Sequence, residues 1–221
     1  MASDSSNLTQ KLSEVNSVIS KMLNKNYDYF DSVFNISSRE YLGWVDSEKL
    51  ISNFLEFSNI AKKYELTSFR KLIVIGMGGS SLGAKVLVGN LPRDGKIEVC
   101  FVDNYHPEYL QKLHDNSIDS DVMFLVCSKS GTTLETLMIF QYFYHHVEKS
   151  NLFNSPGDAF IAITDKGSDL EAIAISKNFS DIIYGIKEIG GRYSVLSSFG
   201  IFPALMSGVK SADLLALLTH Q

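Results

Sequence analysis

Between residues 8 and 25, and again between 46 and 64, apolar positions recur at spacings of three and four; Leu50, Phe54, Phe57, Ala61 and Tyr64 make the second stripe. This period predicts two amphipathic helices, a helical lead to the chain. From about residue 70 the pattern changes to short β-rich runs alternating with helical stretches. The runs are K-L-I-V-I-G from Lys71, I-E-V-C-F-V-D from Ile97, V-M-F-L-V-C-S from Val122, A-F-I-A-I-T-D from Ala159 and D-I-I-Y-G-I from Asp181. Each is apolar on both faces, as a strand covered by helices on either side must be. Helices are predicted between them at about 80–90, 106–115, 132–149 and 168–178.

Repeated strand–helix alternation predicts an α/β fold, a three-layer αβα sandwich around a five-stranded parallel sheet with right-handed crossovers. Such sheets bind ligands just beyond the carboxyl ends of their strands. Asn154 to Asp158, N-S-P-G-D, reads as a turn, and no internal repeat or low-complexity segment interrupts the alternation.

The 221 residues, 45% apolar and 20% charged, suffice for one full core and part of a second. A net charge of -5 with scattered Lys and Arg excludes a nucleic-acid stripe. The first ten residues have neither a basic start nor an apolar stretch, and no apolar run reaches the roughly 20 residues of a spanning helix. A soluble cytoplasmic protein without a membrane partner is expected. Cys100 and Cys127 lie inside apolar runs without partners at metal spacing, so both are expected to be buried, reduced thiols.

Three segments after strands carry chemistry. The first, G-M-G-G-S-S-L-G-A from Gly76 to Ala84, allows a sharp turn and close backbone approach, and Ser80 and Ser81 open a helix whose free amides favour an anion. A dinucleotide site is the rival reading, but the third glycine of that fingerprint is Ser81 here; Asp103, ending the next strand, keeps the rival open. The second, C-S-K-S-G-T-T-L-E-T from Cys127 to Thr136, offers hydroxyls from Ser128, Ser130, Thr132 and Thr133 at the start of a helix, with Gly131 relieving the backbone. Together with the helix amides these make a cradle for a phosphate monoester, and Lys129 either adds charge or points to solvent. The competing reading is a helix cap, which needs only one or two of the four hydroxyls. The third, G-G-R-Y-S-V-L-S-S-F-G from Gly190 to Gly200, pairs flexible backbone with a permanent cation. Arg192 there either stabilises negative charge developing on oxygen or braces an acid such as Glu188.

These motifs carry a resemblance. S-K-S-G-T-T-L-E-T resembles the phosphate loop of sugar isomerase (SIS) domains; G-M-G-G-S-S-L-G-A and G-G-R-Y-S-V-L-S-S-F-G resemble segments of the glucose-6-phosphate isomerase family. The resemblance runs from about residue 40 to 218 and implies a SIS-type, flavodoxin-like sheet. It implies interconversion of glucose 6-phosphate and fructose 6-phosphate through a cis-enediolate, with no metal or organic cofactor. By the same resemblance Ser128, Ser130 and Thr133 contact phosphate, Lys129 and Thr132 complete the loop, Gly79 and Ser80 line the sugar, and Arg192 stabilises the enediolate. Glu135 sits at a motif position and supports the loop. The family's carboxylate base, ring-opening histidine and late lysine belong to motifs that this sequence does not contain, so the resemblance is to the front half of such an enzyme, itself a homodimer. Three segments are expected: a helical lead at 1–66, a SIS domain at 67–189, and the signature segment with the start of a second domain at 190–221. A non-catalytic sugar-phosphate-binding domain and an isomerase of another sugar phosphate are the competing functions.

None of the five histidines is expected in catalysis. His145 and His146 are adjacent on one helix and diverge, His106 precedes Pro107 in a turn, His114 lies near a helix end, and His220 is terminal. The apolar stretches of 192–218, with Pro203 expected to kink or start a helix, are expected to form an exposed patch that drives association.

Overall fold

The computed structural model describes residues 2–219 apart from 36, 39–40, 66–68, 118 and 120. Five parallel strands, β1 (Lys71–Gly76), β2 (Glu98–Val102), β3 (Val122–Cys127), β4 (Phe160–Thr164) and β5 (Asp181–Tyr184), form one sheet in the order β2-β1-β3-β4-β5. All five coincide with the predicted runs. The central strands β3 and β4 are buried along their whole length, and β1 along all but Lys71, whereas the edge strands β2 and β5 are only partly covered. Hydrophobicity on both faces follows from this position between two helical layers.

Alternate strand residues feed two separate cores, as the two-residue period of a strand requires. Leu72, Val74, Leu125, Cys127, Ile161 and Ile163 face one cluster with α3 (Ser47–Glu65), α4 (Leu82–Asn90), α8 (Ser198–Met206) and α9 (Ser211–Thr219). Ile73, Ile75, Phe124, Val126, Phe160 and Ala162 face the other, with α5 (Pro107–Ser117), α6 (Leu134–Ser150) and α7 (Asp169–Ser176). Phe124, Phe140, Phe143 and Phe160 fill its centre.

The helical lead contains α1 (Ala2–Leu23), α2 (Tyr27–Phe34) and α3. The sequence pattern predicts α1 and α3 but misses α2, a short aromatic helix capped by Asn26, whose side chain accepts a hydrogen bond from the Tyr29 amide at 3.1 Å. The stripe of Leu50, Phe54, Phe57, Ala61 and Tyr64 is buried against the sheet as expected.

The expected apolar patch at the end of the chain is corrected by the packing. Phe199, Ile201, Phe202, Ala204, Met206, Leu214 and Leu218 are all buried, in the same cluster as α3 and α4. Pro203 lies inside α8 rather than opening it. The sequence shows that these residues need cover; the face of the sheet that α4 leaves open supplies it. The boundary expected at 66/67 lies outside the described residues.

Candidate functional site at the sheet's switch point

β1 and β3 are neighbours, yet the helices that follow them, α4 and α6, lie on opposite faces of the sheet. A crevice opens beyond the carboxyl ends of such a pair. Gly76 and Cys127 are registered partners at this point, and a Cβ on Gly76 would lie 3.0 Å from the Cys127 carbonyl oxygen. Glycine therefore lets the loops after β1 and β3 start side by side.

The loop after β1 turns through Gly78, at φ +55°, into a single 3₁₀ turn, Gly78–Ser80. Ser81 is buried beneath it, and Ser80 is half-buried with no hydrogen bond from its hydroxyl among the described residues. Asp103, which kept the dinucleotide reading open, is paired with Lys85 at 3.2 Å.

The loop after β3 is braced from behind. The Ser128 amide donates to the Ile163 carbonyl at 3.0 Å, the Asp165 amide donates to the Lys129 carbonyl at 3.1 Å, and the Thr164 hydroxyl donates to the Ser128 carbonyl at 2.7 Å. Thr164 Oγ1 also lies 2.6 Å from the Ser168 hydroxyl, which caps α7 by accepting from the Glu171 amide. Gly131, at φ +73°, closes the curve where a Cβ would meet the Leu170 amide nitrogen at 2.5 Å. The hydroxyls bond within the loop: Ser128 to Thr133 at 3.1 Å, and Ser130 with Thr132 at 2.9 Å. Thr133 occupies the N-cap position of α6, but its hydroxyl makes no capping bond. The first amides of α6 thus lack a side-chain cap beside these hydroxyls, an arrangement suited to an anion. Glu135 is exposed in the first turn of α6, where the helix dipole favours a carboxylate.

Lys129 does not turn to solvent. Its ammonium donates to Asp165 Oδ2 at 2.6 Å and to the carbonyls of Ile186 at 3.2 Å and Lys187 at 3.5 Å.

The Arg192 segment closes over the first loop. Ser194 Oγ donates to the Gly79 carbonyl at 3.0 Å, and a Cβ on Gly79 would lie 2.2 Å from the Gly191 carbonyl oxygen. Tyr193 stacks on Trp44 with ring centroids 5.7 Å apart, and the Gly43 amide donates to the Glu188 carbonyl at 2.8 Å. Glu188 is engaged by Lys49 at 2.9 Å, not by Arg192. Arg192 itself is exposed, with no hydrogen bond or ion pair among the described residues. A cation on a braced backbone, without an ion pair among the described residues, is suited to meet a ligand's charge.

The three segments therefore meet at one end of the sheet. Trp44, Thr164, Asp165 and Ser168 join them there, and sequence reasoning missed all four. Asp165 directly follows a strand as Asp103 does, and Ser168 opens a helix, so weak signals existed. The His114 and His146 rings lie tilted against each other with centroids 4.2 Å apart between α5 and α6, where these helices have run back to the opposite end of the sheet. His220 lies outside the described residues, and no cluster of metal-ligand side chains occurs among the described residues. Among them no helix is long and apolar enough to cross a membrane.

A sequence model of phosphoglucose isomerase matches residues 48–219, a span that holds all three segments. The chain belongs to the phosphoglucose isomerase family. It is 29% identical over 217 residues to a glucose-6-phosphate isomerase of Mycoplasma mycoides, covering 94% of this chain and 50% of that protein. With a Staphylococcus aureus glucose-6-phosphate isomerase it shares 34% identity over 77% of this chain and 40% of the relative. Among solved structures, one titled a hypothetical protein from Thermus thermophilus superposes with a TM-score of 0.75 at 26% identity, over 96% of this chain and 48% of the other. A glucose-6-phosphate isomerase from Chlamydia trachomatis superposes with a TM-score of 0.66 at 26% identity, over 79% and 32%. The chain spans about half the length of the curated relatives it matches.

Proposed function

We propose that the chain supplies the phosphate-holding and arginine-bearing part of a glucose-6-phosphate isomerase. The observation that carries this reading is the meeting of an uncapped hydroxyl cradle and an unpaired arginine at the switch point of a sheet in this family. Ser128, Ser130, Thr132 and Thr133, with the first amides of α6, receive the phosphate. Gly79 and Ser80 line the sugar, and Lys129 completes the phosphate loop. Arg192 stabilises the oxygen on which charge develops as aldose and ketose interconvert through a cis-enediolate.

Proton transfer between the two carbons needs a general acid and base. On this reading none of the chain's own histidines takes the proton steps, which fall to groups elsewhere in a full-length enzyme. The helical lead, SIS domain and signature segment, dimerisation of the full-length protein and a cytoplasmic location belong to the same reading. The expected scheme uses no metal or cofactor.

Isothermal titration of this chain with glucose 6-phosphate, fructose 6-phosphate and glucose tests the reading. Binding of both esters but not of glucose is expected, without turnover in a coupled assay. Equal affinity for glucose would remove the phosphate from the account, and isomerisation by the 221 residues alone would overturn the assignment of the proton steps.

A further inference from the structure

Lys129 sits between two of the hydroxyl residues of the cradle, where a cation is the simplest partner for a phosphate. Its geometry says otherwise. A lysine ammonium has three donors, and here it meets Asp165 Oδ2 and the carbonyls of Ile186 and Lys187. Both charged side chains are about three-quarters buried, at 25% and 24% exposure. The pair is thus shielded more than a surface ion pair, and removing one partner leaves an uncompensated charge.

The partners place this ammonium between two site segments. Asp165 directly follows β4, and its amide already holds the Lys129 carbonyl at 3.1 Å. Ile186 and Lys187 begin the stretch that leads through Gly190 and Gly191 to Arg192. Gly185 leaves room for the carboxylate: a Cβ there would lie 2.3 Å from Asp165 Oδ1, which is buried without a hydrogen-bond partner among the described residues. A carboxylate accepted with one oxygen unsatisfied, and with glycine opposite it, is kept for what its other oxygen does.

We propose that Lys129 and Asp165 are a positioning pair, a strut that holds the phosphate loop and the arginine segment in register and leaves the phosphate to neutral hydroxyls and amides. This rests on the reading of the cradle as a phosphate site. The pair acts through the residues it places and touches neither end of the substrate.

The test uses Asp165→Asn, Lys129→Met and the double variant of this chain, each checked for folding by urea denaturation. Glucose 6-phosphate and inorganic phosphate are titrated at two salt concentrations. Either single change is expected to weaken glucose 6-phosphate binding about tenfold, and the double change by the same factor, since one strut is lost in each case. The double change, which removes both charges and leaves the net charge as it was, is expected to keep the salt dependence of binding unchanged, because no lysine charge meets the phosphate. Tighter binding by Asp165→Asn, multiplying factors, or a flattened salt dependence would put the ammonium on the ligand and overturn the proposal. Hydrogen exchange on the ligand-free chain decides independently. Amides from 186 to 192 should lose protection in both single variants, and unchanged protection would sink the strut. If the unaltered chain binds neither probe, the phosphate reading falls while exchange still judges the pair.

Discussion

The Ser194 hydroxyl donates to the carbonyl of Gly79 at 3.0 Å, joining the glycine loop after β1 to the arginine segment 115 residues later. This bond and the close approach of Gly79 to Gly191 hold the backbone before Arg192 against the loop after β1.

Gly79→Ala should therefore disturb the site as well as the fold. Its methyl would collide with the Gly191 carbonyl, whereas Ser194→Ala only removes a hydroxyl that also bonds the Gly191 carbonyl at 2.7 Å. Ser194→Ala is expected to cost about 1 kcal/mol in urea denaturation, and Gly79→Ala more than that. Gly79→Ala with unchanged stability and unchanged glucose 6-phosphate affinity would contradict the packing.

Arg192→Ala should leave stability within about 0.5 kcal/mol, the ordinary range for an exposed side chain, here one without partners among the described residues. In a full-length isomerase the same change should lower kcat far more than it raises KM, because the cation matters most once the enediolate has formed. An equal loss in ground-state binding would move Arg192 to the phosphate.

The Lys49–Glu188 pair predicts a pH dependence. The Lys49 hydrogen bond, and then a backbone hydrogen bond, hold the Glu188 carboxyl below its usual 4.5. A depressed carboxyl stabilises the fold above its unfolded value, and that contribution is lost as pH falls through the folded value. Both side chains are more than two-fifths exposed, so the effect is at most about 0.5 kcal/mol. Urea midpoints of the unaltered chain and Glu188→Gln should differ near neutral pH and converge in acid. A difference that stays constant would show that Glu188 titrates normally.

Cys127 is fully buried under α3 and α8, and burial alone pushes its thiol well above the ordinary range. It should not react with an aromatic disulfide reagent until the chain unfolds. Cys100, half-buried and also raised by burial, should react slowly in the native state. Prompt labelling of two thiols per folded chain would refute this burial.

Phe202→Ala tests the cover that α8 gives the sheet. The ring is fully buried, so its loss should cost about 3–5 kcal/mol. A cost below about 1 kcal/mol would return α8 to the surface, as the sequence alone had implied.

Much of the site was legible before the fold was known. Hydroxyl residues in Ser128–Thr133 and the double glycine before Arg192 need no tertiary contact to be noticed, since their chemistry is local. The competing roles were not separable that way. Thr133 could have capped α6 and Arg192 could have braced Glu188; each alternative failed only because the cap bond is missing and Lys49 holds the acid. α2 escaped because eight residues give too short a period to read, and its Asn26 cap is a side-chain bond rather than a pattern.

The sequence by itself determined the alternation of five strands and their helices and the hydroxyl- and glycine-rich composition of the loops between them, because period and loop composition are properties of near neighbours. Tertiary structure alone decided that α8 and α9 bury their apolar faces on the open side of the sheet, and that Lys129 turns away from the cradle. Its partners lie 36 and 57 residues further along the chain. Only the folding of parallel strands side by side brings such groups within hydrogen-bond distance.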